Sequence, residues 1–272
     1  MSTKLKIAAA VAAAVLLSAC SSPKHEPMPL VKFTPSMEVT EVWSKGLSSA
    51  EGFLVPAVYD DMVFAAGGKT LTRLNARTGE TEWSVSFNSP ITGGVGSDGY
   101  VTAVGLWDGN LEVVDAEGKV SWEKKLTTEL ASPPVVSHGL VIARTMDTRV
   151  SAFEASSGEL QWTYQRSQPA LTVRLPTRML AHDNFLLVGQ PNGHIVILDI
   201  ASGKPMFEFQ VAQAKGVTEV ERLVDVVGAP AFSDNLVCAA AFQGAVTCVD
   251  STNGQTRWTQ KIDAVAGPAI DE

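Results

Sequence analysis

Cysteine is scarce in this chain: 272 residues hold three, Cys20, Cys238 and Cys248. No two are adjacent, and none stands at the spacing of a zinc finger, a zinc ribbon or a c-type haem attachment site, so the sequence offers no metal or haem centre of those kinds. Histidine is hardly richer. His25, His138, His182 and His194 are scattered, and no nucleophile stands beside a base in a recognisable pattern. Positive charge is in deficit, with 21 Lys and Arg against 29 Asp and Glu, a net charge of −8. A surface of that sign repels phosphates, which makes nucleic acid and anionic headgroups poor partners. Charged residues make up 18% and aromatics 7%, leaving room for many small and β-branched residues, a mixture that favours strands over disorder. Long apolar runs are missing as well. Ile7 to Leu17 spans only 11 residues, too short to cross a bilayer as a helix.

That short run reads as the core of an export signal. Lys4 and Lys6 precede it as a basic leader, and it ends in Leu17-Ser18-Ala19-Cys20. Small residues before a cysteine are what a lipoprotein signal peptidase requires, so residues 1–19 are expected to be removed and Cys20 to become an acylated first residue. Ser21 rather than Asp in the next position fits sorting to the outer membrane. Several acyl chains make such an anchor effectively permanent. Loss of Lys4 and Lys6 leaves 19 basic against 29 acidic residues, a net charge of −10. Residues 20–38, rich in Pro, Ser and charge, read as a flexible tether.

From residue 39 onward one pattern recurs. It appears as TRLNARTGETEWSVSF from Thr72, EVVDAEGKVSWEKKL from Glu112, SAFEASSGELQWTYQ from Ser151, VILDIASGKPMFEFQV from Val196 and TCVDSTNGQTRWTQKI from Thr247. Its aromatic position holds Trp43, Trp83, Trp122, Trp162, Phe207 and Trp258, at steps of 40, 39, 40, 45 and 51 residues. Strand-like repeats near that length indicate a propeller or a β-solenoid. Four short alternating segments per unit suit a propeller blade, its strands running a to d outward from the axis. In the first unit they are expected at Phe53–Val58, Met62–Ala66, Thr70–Asn75 and Thr81–Phe87. Asn75, Asp115, Asp199 and Asp250 open the c–d turns, where a short polar side chain can bond the backbone two residues on, and Glu154 departs from this. Gly79, Gly118, Gly158, Gly203 and Gly254 supply a left-handed turn position. The aromatic four residues later is read as packing between blades.

The fold expected for residues 39–272 is therefore all-β: a partial β-propeller of four-stranded antiparallel blades, with about five complete. VTEVWSKGL from Val39 reads as an orphan d strand and AVAGPAIDE from Ala264 as the first strand of a sixth unit. The pattern then stops, which reads as a truncated or partial version of a larger propeller. Cys238 and Cys248 flank a hairpin turn expected at Gln243-Gly244. That register puts them off by one residue on opposite faces, so two small buried hydrophobes are favoured over a bridge, although an oxidising compartment would permit one.

The long steps mark insertions near Gln165–Pro176 and Ala212–Gly228. Both follow a d strand and precede an a strand, so both belong to the end of the propeller that also carries the b–c turns. Loops enlarged on one end of a rigid scaffold are where binding usually resides. Trp107, the one tryptophan out of phase with the repeat, and Phe242 sit on b–c turns of that end. An exposed aromatic there can anchor a partner.

The lipoprotein signal, the blade motif and the two inserted stretches PALTVRLPT (Pro169–Thr177) and GVTEVERLVDVVGAP (Gly216–Pro230) together resemble the BamB family. These are the lipoproteins of the β-barrel assembly (BAM) machinery. The resemblance covers essentially all of the mature chain. The blade motif is generic to quinoprotein-type propellers, and the two loops are far more specific. The resemblance implies an eight-bladed propeller without enzymatic activity or cofactor, anchored on the periplasmic face of the outer membrane. It also implies docking onto the periplasmic POTRA domains of BamA, the barrel-forming subunit. The family's docking segment, Leu-x-Leu-Arg, is matched by Leu171, Val173 and Arg174, with Val173 a mild departure. The second, Asp-Arg-Leu-x-Asp-x-Asp, is matched by Arg222, Leu223 and Asp225, with Glu221 in place of the first acid and Val227 in place of the last. Arg174 is expected to pair either with an acid of the partner or with Asp225 across the two loops. Direct contact with unfolded barrel substrates, by strand addition at an exposed sheet edge, is a further option. Two other readings compete: a propeller lipoprotein of a different envelope complex, and a quinone-dependent dehydrogenase, which uses the same blade motif but needs an axial cofactor and a calcium site.

Overall fold

A computed structural model describes residues 32, 34, 37–49, 54–167 and 169–270. The export signal, Cys20 and most of the tether lie outside the described residues. Two compact units divide the chain, Met1–Glu41 and Val42–Glu272. Among the described residues the second holds twenty strands in five four-stranded antiparallel sheets, each made of consecutive strands in sequence order. Blade 1 holds β1 (Ala57–Tyr59), β2 (Met62–Gly67), β3 (Thr70–Asn75) and β4 (Thr81–Ser86). Blade 2 holds β5 (Ile91–Ser97), β6 (Thr102–Leu106), β7 (Asn110–Val114) and β8 (Val120–Lys125). Blade 3 holds β9 (Val135–Ser137), β10 (Leu140–Arg144), β11 (Val150–Glu154) and β12 (Leu160–Tyr164). Blade 4 holds β13 (Leu180–His182), β14 (Phe185–Gln190), β15 (His194–Asp199) and β16 (Pro205–Gln210). Blade 5 holds β17 (Val226–Ser233), β18 (Leu236–Ala241), β19 (Gly244–Asp250) and β20 (Thr256–Ile262). The five blades and their four-strand count follow the expectation; in blade 1 the three outer strands fall where expected to within a residue, while the innermost is Ala57–Tyr59 and not Phe53–Val58.

The core is not a single ball but four slabs, one between each pair of successive blades. Phe64 and Leu71 meet Ile91 and Val104 between blades 1 and 2. Leu111 and Val113 meet Val141 and Phe153 between blades 2 and 3. Ile142 and Val150 meet Leu186 and Val196 between blades 3 and 4, and Ile195 and Phe209 meet Val237 and Val249 between blades 4 and 5. The b and c strands are therefore covered on both faces: β6 and β10 are buried throughout, whereas the outer strands β4 and β8 alternate between exposed and half-buried. Small residues follow from this squeeze, as in Leu236-Val-Cys-Ala-Ala-Ala241 of β18.

The repeated aromatic is the joint between blades. The indole N–H groups of Trp43, Trp83 and Trp122 donate to the carbonyls of Ala76, Ala116 and Ala155, each 33 residues on, at 2.9, 2.9 and 2.8 Å. Trp162 does the same to Ile200 at 2.8 Å. Each ring lies on the turn glycine of the next blade. A Cβ built on Gly158, whose φ is +71°, would stand 2.8 Å from Trp122. Glycine thus meets two demands at once, a left-handed backbone and room for an indole. Phe207 covers Gly254 in the same way without a donor to offer. Asn75, Asp115, Asp199 and Asp250 accept backbone N–H groups two to four residues on, as the motif requires.

Three expectations need correction. Residues 39–47 form no strand, although Trp43 occupies its joint. Trp43 is held by its indole and not by a backbone ladder, so the aromatic reports a joint and not hydrogen-bonded pairing. Residues 264–270 likewise form no strand, but Gly267 lies against Gly228 and Ala229 of β17. Finally, Cys238 and Cys248 form a disulfide, with Cα atoms 4.1 Å apart and both residues buried. The b–c turn of blade 5 is centred on Gln243, which adopts φ +48°: Ala240 pairs with Val246, and this register places Cys238 directly opposite Cys248. A two-residue turn at Gln243-Gly244 would have given the off-by-one register expected from sequence.

Candidate functional site

The two insertions converge on one rim, and the strands feeding them explain why. Each leaves a d strand at the periphery and must return to the axis to start the next blade, so neighbouring insertions finish beside each other near the centre. Their inner ends pair in parallel: Gly228 N donates to Pro176 O at 2.7 Å and Arg178 N to Gly228 O at 2.9 Å. Asp225 is the clasp. Its Oδ2 accepts Val173 N from the first insertion at 2.6 Å, and its Oδ1 accepts Asn192 N from the b–c turn of blade 4 at 3.3 Å. Its own carbonyl accepts Phe242 N from the b–c turn of blade 5 at 2.9 Å. Burial pushes the Asp225 carboxyl up, while the two amide donors and Arg144 pull it back.

The second insertion has its own internal order. Glu221 Oε2 accepts the N–H groups of Val217 and Thr218 at 2.9 and 3.0 Å, and the Glu221 N–H returns to Thr218 Oγ1 at 3.3 Å. This is the reciprocal pairing of a capping box, used here to lock a turn. These donors, Thr218 N–H first, hold the Glu221 carboxyl below its usual range.

The predicted site residues separate into two groups. Leu171 and Arg174 are exposed, and Val173 is half-buried beside them. Arg222 is exposed and lies 3.8 Å from Glu219. Asp225 is buried, at 7% exposure, and Val227 is buried inside β17 opposite Ala240. Of the two pairings considered for Arg174, the one with Asp225 does not occur, because the carboxylate of Asp225 is spent on backbone N–H groups. Trp107 is 58% exposed on the same rim.

Sequence reasoning missed Val217 and Val220, which stand 95% and 60% exposed on the second insertion. The signal was present in Val217-Thr-Glu-Val-Glu-Arg, where two valines interrupt a charged stretch outside any strand pattern. Arg144, buried under the first insertion, was also missed. A cavity of about 500 Å³ opens between the insertions and the inner strands, lined among others by Trp107, Arg144, Val173, Arg174, Gln190 and Asp225. Among the described residues no three His, Cys, Asp or Glu side chains gather as a metal would need.

Known proteins of this type share the same pattern. The family described as outer membrane protein assembly factor BamB matches residues 67–272. An outer membrane protein assembly factor BamB from Burkholderia pseudomallei is 37% identical over 270 residues, which is 97% of this chain and 71% of that protein. The crystal structure of BamB from Moraxella catarrhalis superposes with a TM-score of 0.72 at 28% identity, covering 78% of this chain and 65% of that one. A quinohemoprotein alcohol dehydrogenase from Pseudomonas putida HK5 gives a TM-score of 0.61 at 16% identity, covering 82% and 45%, a likeness of fold alone.

Proposed function

The chain belongs to the outer membrane protein assembly factor BamB family, and on that premise we propose that it is a non-enzymatic scaffold of the β-barrel assembly machinery. In this reading the chain is held to the periplasmic face of the outer membrane by lipid on Cys20. It docks through the rim of the two insertions onto the POTRA domains of BamA and assists insertion of β-barrel proteins. The observation that carries the docking reading is the convergence of the insertions. Asp225 holds the backbone at Val173, and the loop presents Leu171 and Arg174 outward, one apolar and one cationic, on the rim that also carries Trp107.

The roles divide accordingly. Leu171, Val173 and the exposed Trp107 offer apolar and aromatic surface of the kind that dominates binding energy. Arg174 and Arg222 offer donors to partner carboxylates, and a planar guanidinium can hold a carboxylate through two bonds. Asp225 acts from beneath as a positioning residue. The test is capture of purified BamA POTRA domains by the full chain. Leu171→Ala and Arg174→Ala are each expected to weaken capture roughly tenfold, the loss of about 1.4 kcal/mol typical of an interface anchor. Unchanged capture by both variants, with circular dichroism showing the fold intact, overturns the site assignment.

A further inference from the structure

One charge in the rim cavity has no counter-ion in contact with it. Arg144 closes β10 with 5% of its surface exposed. Its Nη1 donates to Thr177 Oγ1 at 3.1 Å and its Nε finds no acceptor. Among the described residues no carboxylate forms an ion pair with it. Asp225 helps only at a distance, since both its oxygens already accept backbone N–H groups. Burial pulls the Arg144 guanidinium down to about 10, which still leaves it protonated at neutral pH. A buried charge without a partner is among the most unfavourable features a fold can carry.

The neighbours are short of the same thing. Gln190 Nε2, Ser132 Oγ and Thr92 Oγ1 are buried and find no partner among the described residues, and their residues line the same cavity as Arg144. Gln190 and Ser132 are 2% and 4% exposed, so water reaches them little. A guanidinium and an amide NH₂ can only donate, and the two hydroxyls are able to. The charged lining adds Arg174 and Arg178 against Glu129 and Asp225, an excess of one positive charge in a chain of net charge −8. What this surround lacks is an acceptor bearing a single negative charge. A carboxylate matches that excess one charge to one, whereas a phosphate dianion would leave one negative charge uncompensated.

We propose that the rim cavity is a carboxylate-binding site in which Arg144 supplies the charge and Gln190, Ser132 and Thr92 supply further hydrogen bonds. The carboxylate belongs either to a small free organic acid or to an Asp or Glu side chain of a polypeptide on the rim. Thermal unfolding of the full chain separates these. Acetate and succinate are titrated against chloride at matched ionic strength, and a blocked Gly-Glu-Gly peptide against Gly-Gln-Gly. A binding carboxylate raises the folded-to-unfolded ratio about 100-fold at 100 times its dissociation constant, visible as a saturable rise in midpoint that chloride does not give. Arg144→Met is expected to abolish the rise. Gln190→Leu is expected to weaken it, and keeps the test open should Arg144→Met not fold.

A response to acetate or succinate assigns a free acid. A response to Gly-Glu-Gly alone assigns a side chain. No response in either arm, or one unchanged in the variants, overturns the proposal. The small-acid arm needs no protein partner, so its result stands apart from the docking reading above.

Discussion

Glu112 gives the sharpest prediction about stability. It lies on β7, 6% exposed, directly opposite Glu123 on β8. The equivalent cross-strand positions of blades 1, 3 and 5 hold hydroxyl pairs: Thr72 with Ser84, Ser151 with Thr163 and Thr247 with Thr259, at 3.0, 3.3 and 3.0 Å. Blade 2 replaces a neutral pair with two carboxyls. Burial, then Glu123, then Asp108 push the Glu112 carboxyl up to about 7, with a hydrogen bond to Glu123 favouring the protonated form. An acid raised in the folded state binds its proton more tightly there than in the unfolded chain. The folded state therefore holds the extra proton from the ordinary carboxylate range up to about 7, and stability falls as pH rises through that window.

Each pKa unit is worth about 1.4 kcal/mol, which sets a ceiling of about 3 kcal/mol. Water at the exposed Glu123 end screens this to roughly 1–2 kcal/mol. Urea denaturation midpoints at intervals from pH 4.5 to 8, on the wild-type chain and on Glu112→Gln, isolate the effect by difference. Glu112→Gln is expected to be the more stable of the two at pH 8, its advantage growing steadily from pH 5. A difference that stays flat across the window, or that shrinks with pH, refutes the reasoning.

Other outcomes follow from the joints and the staple. Trp122→Phe keeps the ring on Gly158 but leaves the Ala155 carbonyl without its donor, and should cost about 1–2 kcal/mol in denaturant unfolding. Gly158→Ala combines a left-handed backbone with a clash on Trp122 and should cost roughly 2 kcal/mol or more, read in the same assay. Reduction of Cys238–Cys248, ten residues apart in sequence, should lower stability by roughly 2–3 kcal/mol. A Cys238→Ala, Cys248→Ala chain should be indifferent to reductant.

The sequence was most legible where chemistry repeats. A short polar or acidic residue, then Gly, then an aromatic four residues on report a turn, a left-handed residue and a joint, and recurrence in five units, with Glu154 and Phe207 as the variants, leaves little room for another fold. The insertions were legible as departures from that same rhythm. What stayed hidden depends on tertiary surroundings. The register of the hairpin between β18 and β19 turned on whether Gln243, a non-glycine residue, adopts a left-handed conformation, which local sequence does not announce. Asp225 looked like a recognition acid because it matched a loop pattern, yet three backbone segments meet beneath it and consume its acceptors. Arg144 ends a run of apolar residues, Leu-Val-Ile-Ala, and only the neighbouring blade and the first insertion reveal that its charge is enclosed.

The rim of the two insertions carries the functional account, and amide hydrogen exchange on the full chain with and without BamA POTRA domains addresses it most directly. The account predicts added protection in residues 170–176 and 217–225, with the c–d turns at 75–80 and 115–119 on the far end unchanged. Protection confined to those far turns, with the insertions exchanging as before, would contradict it.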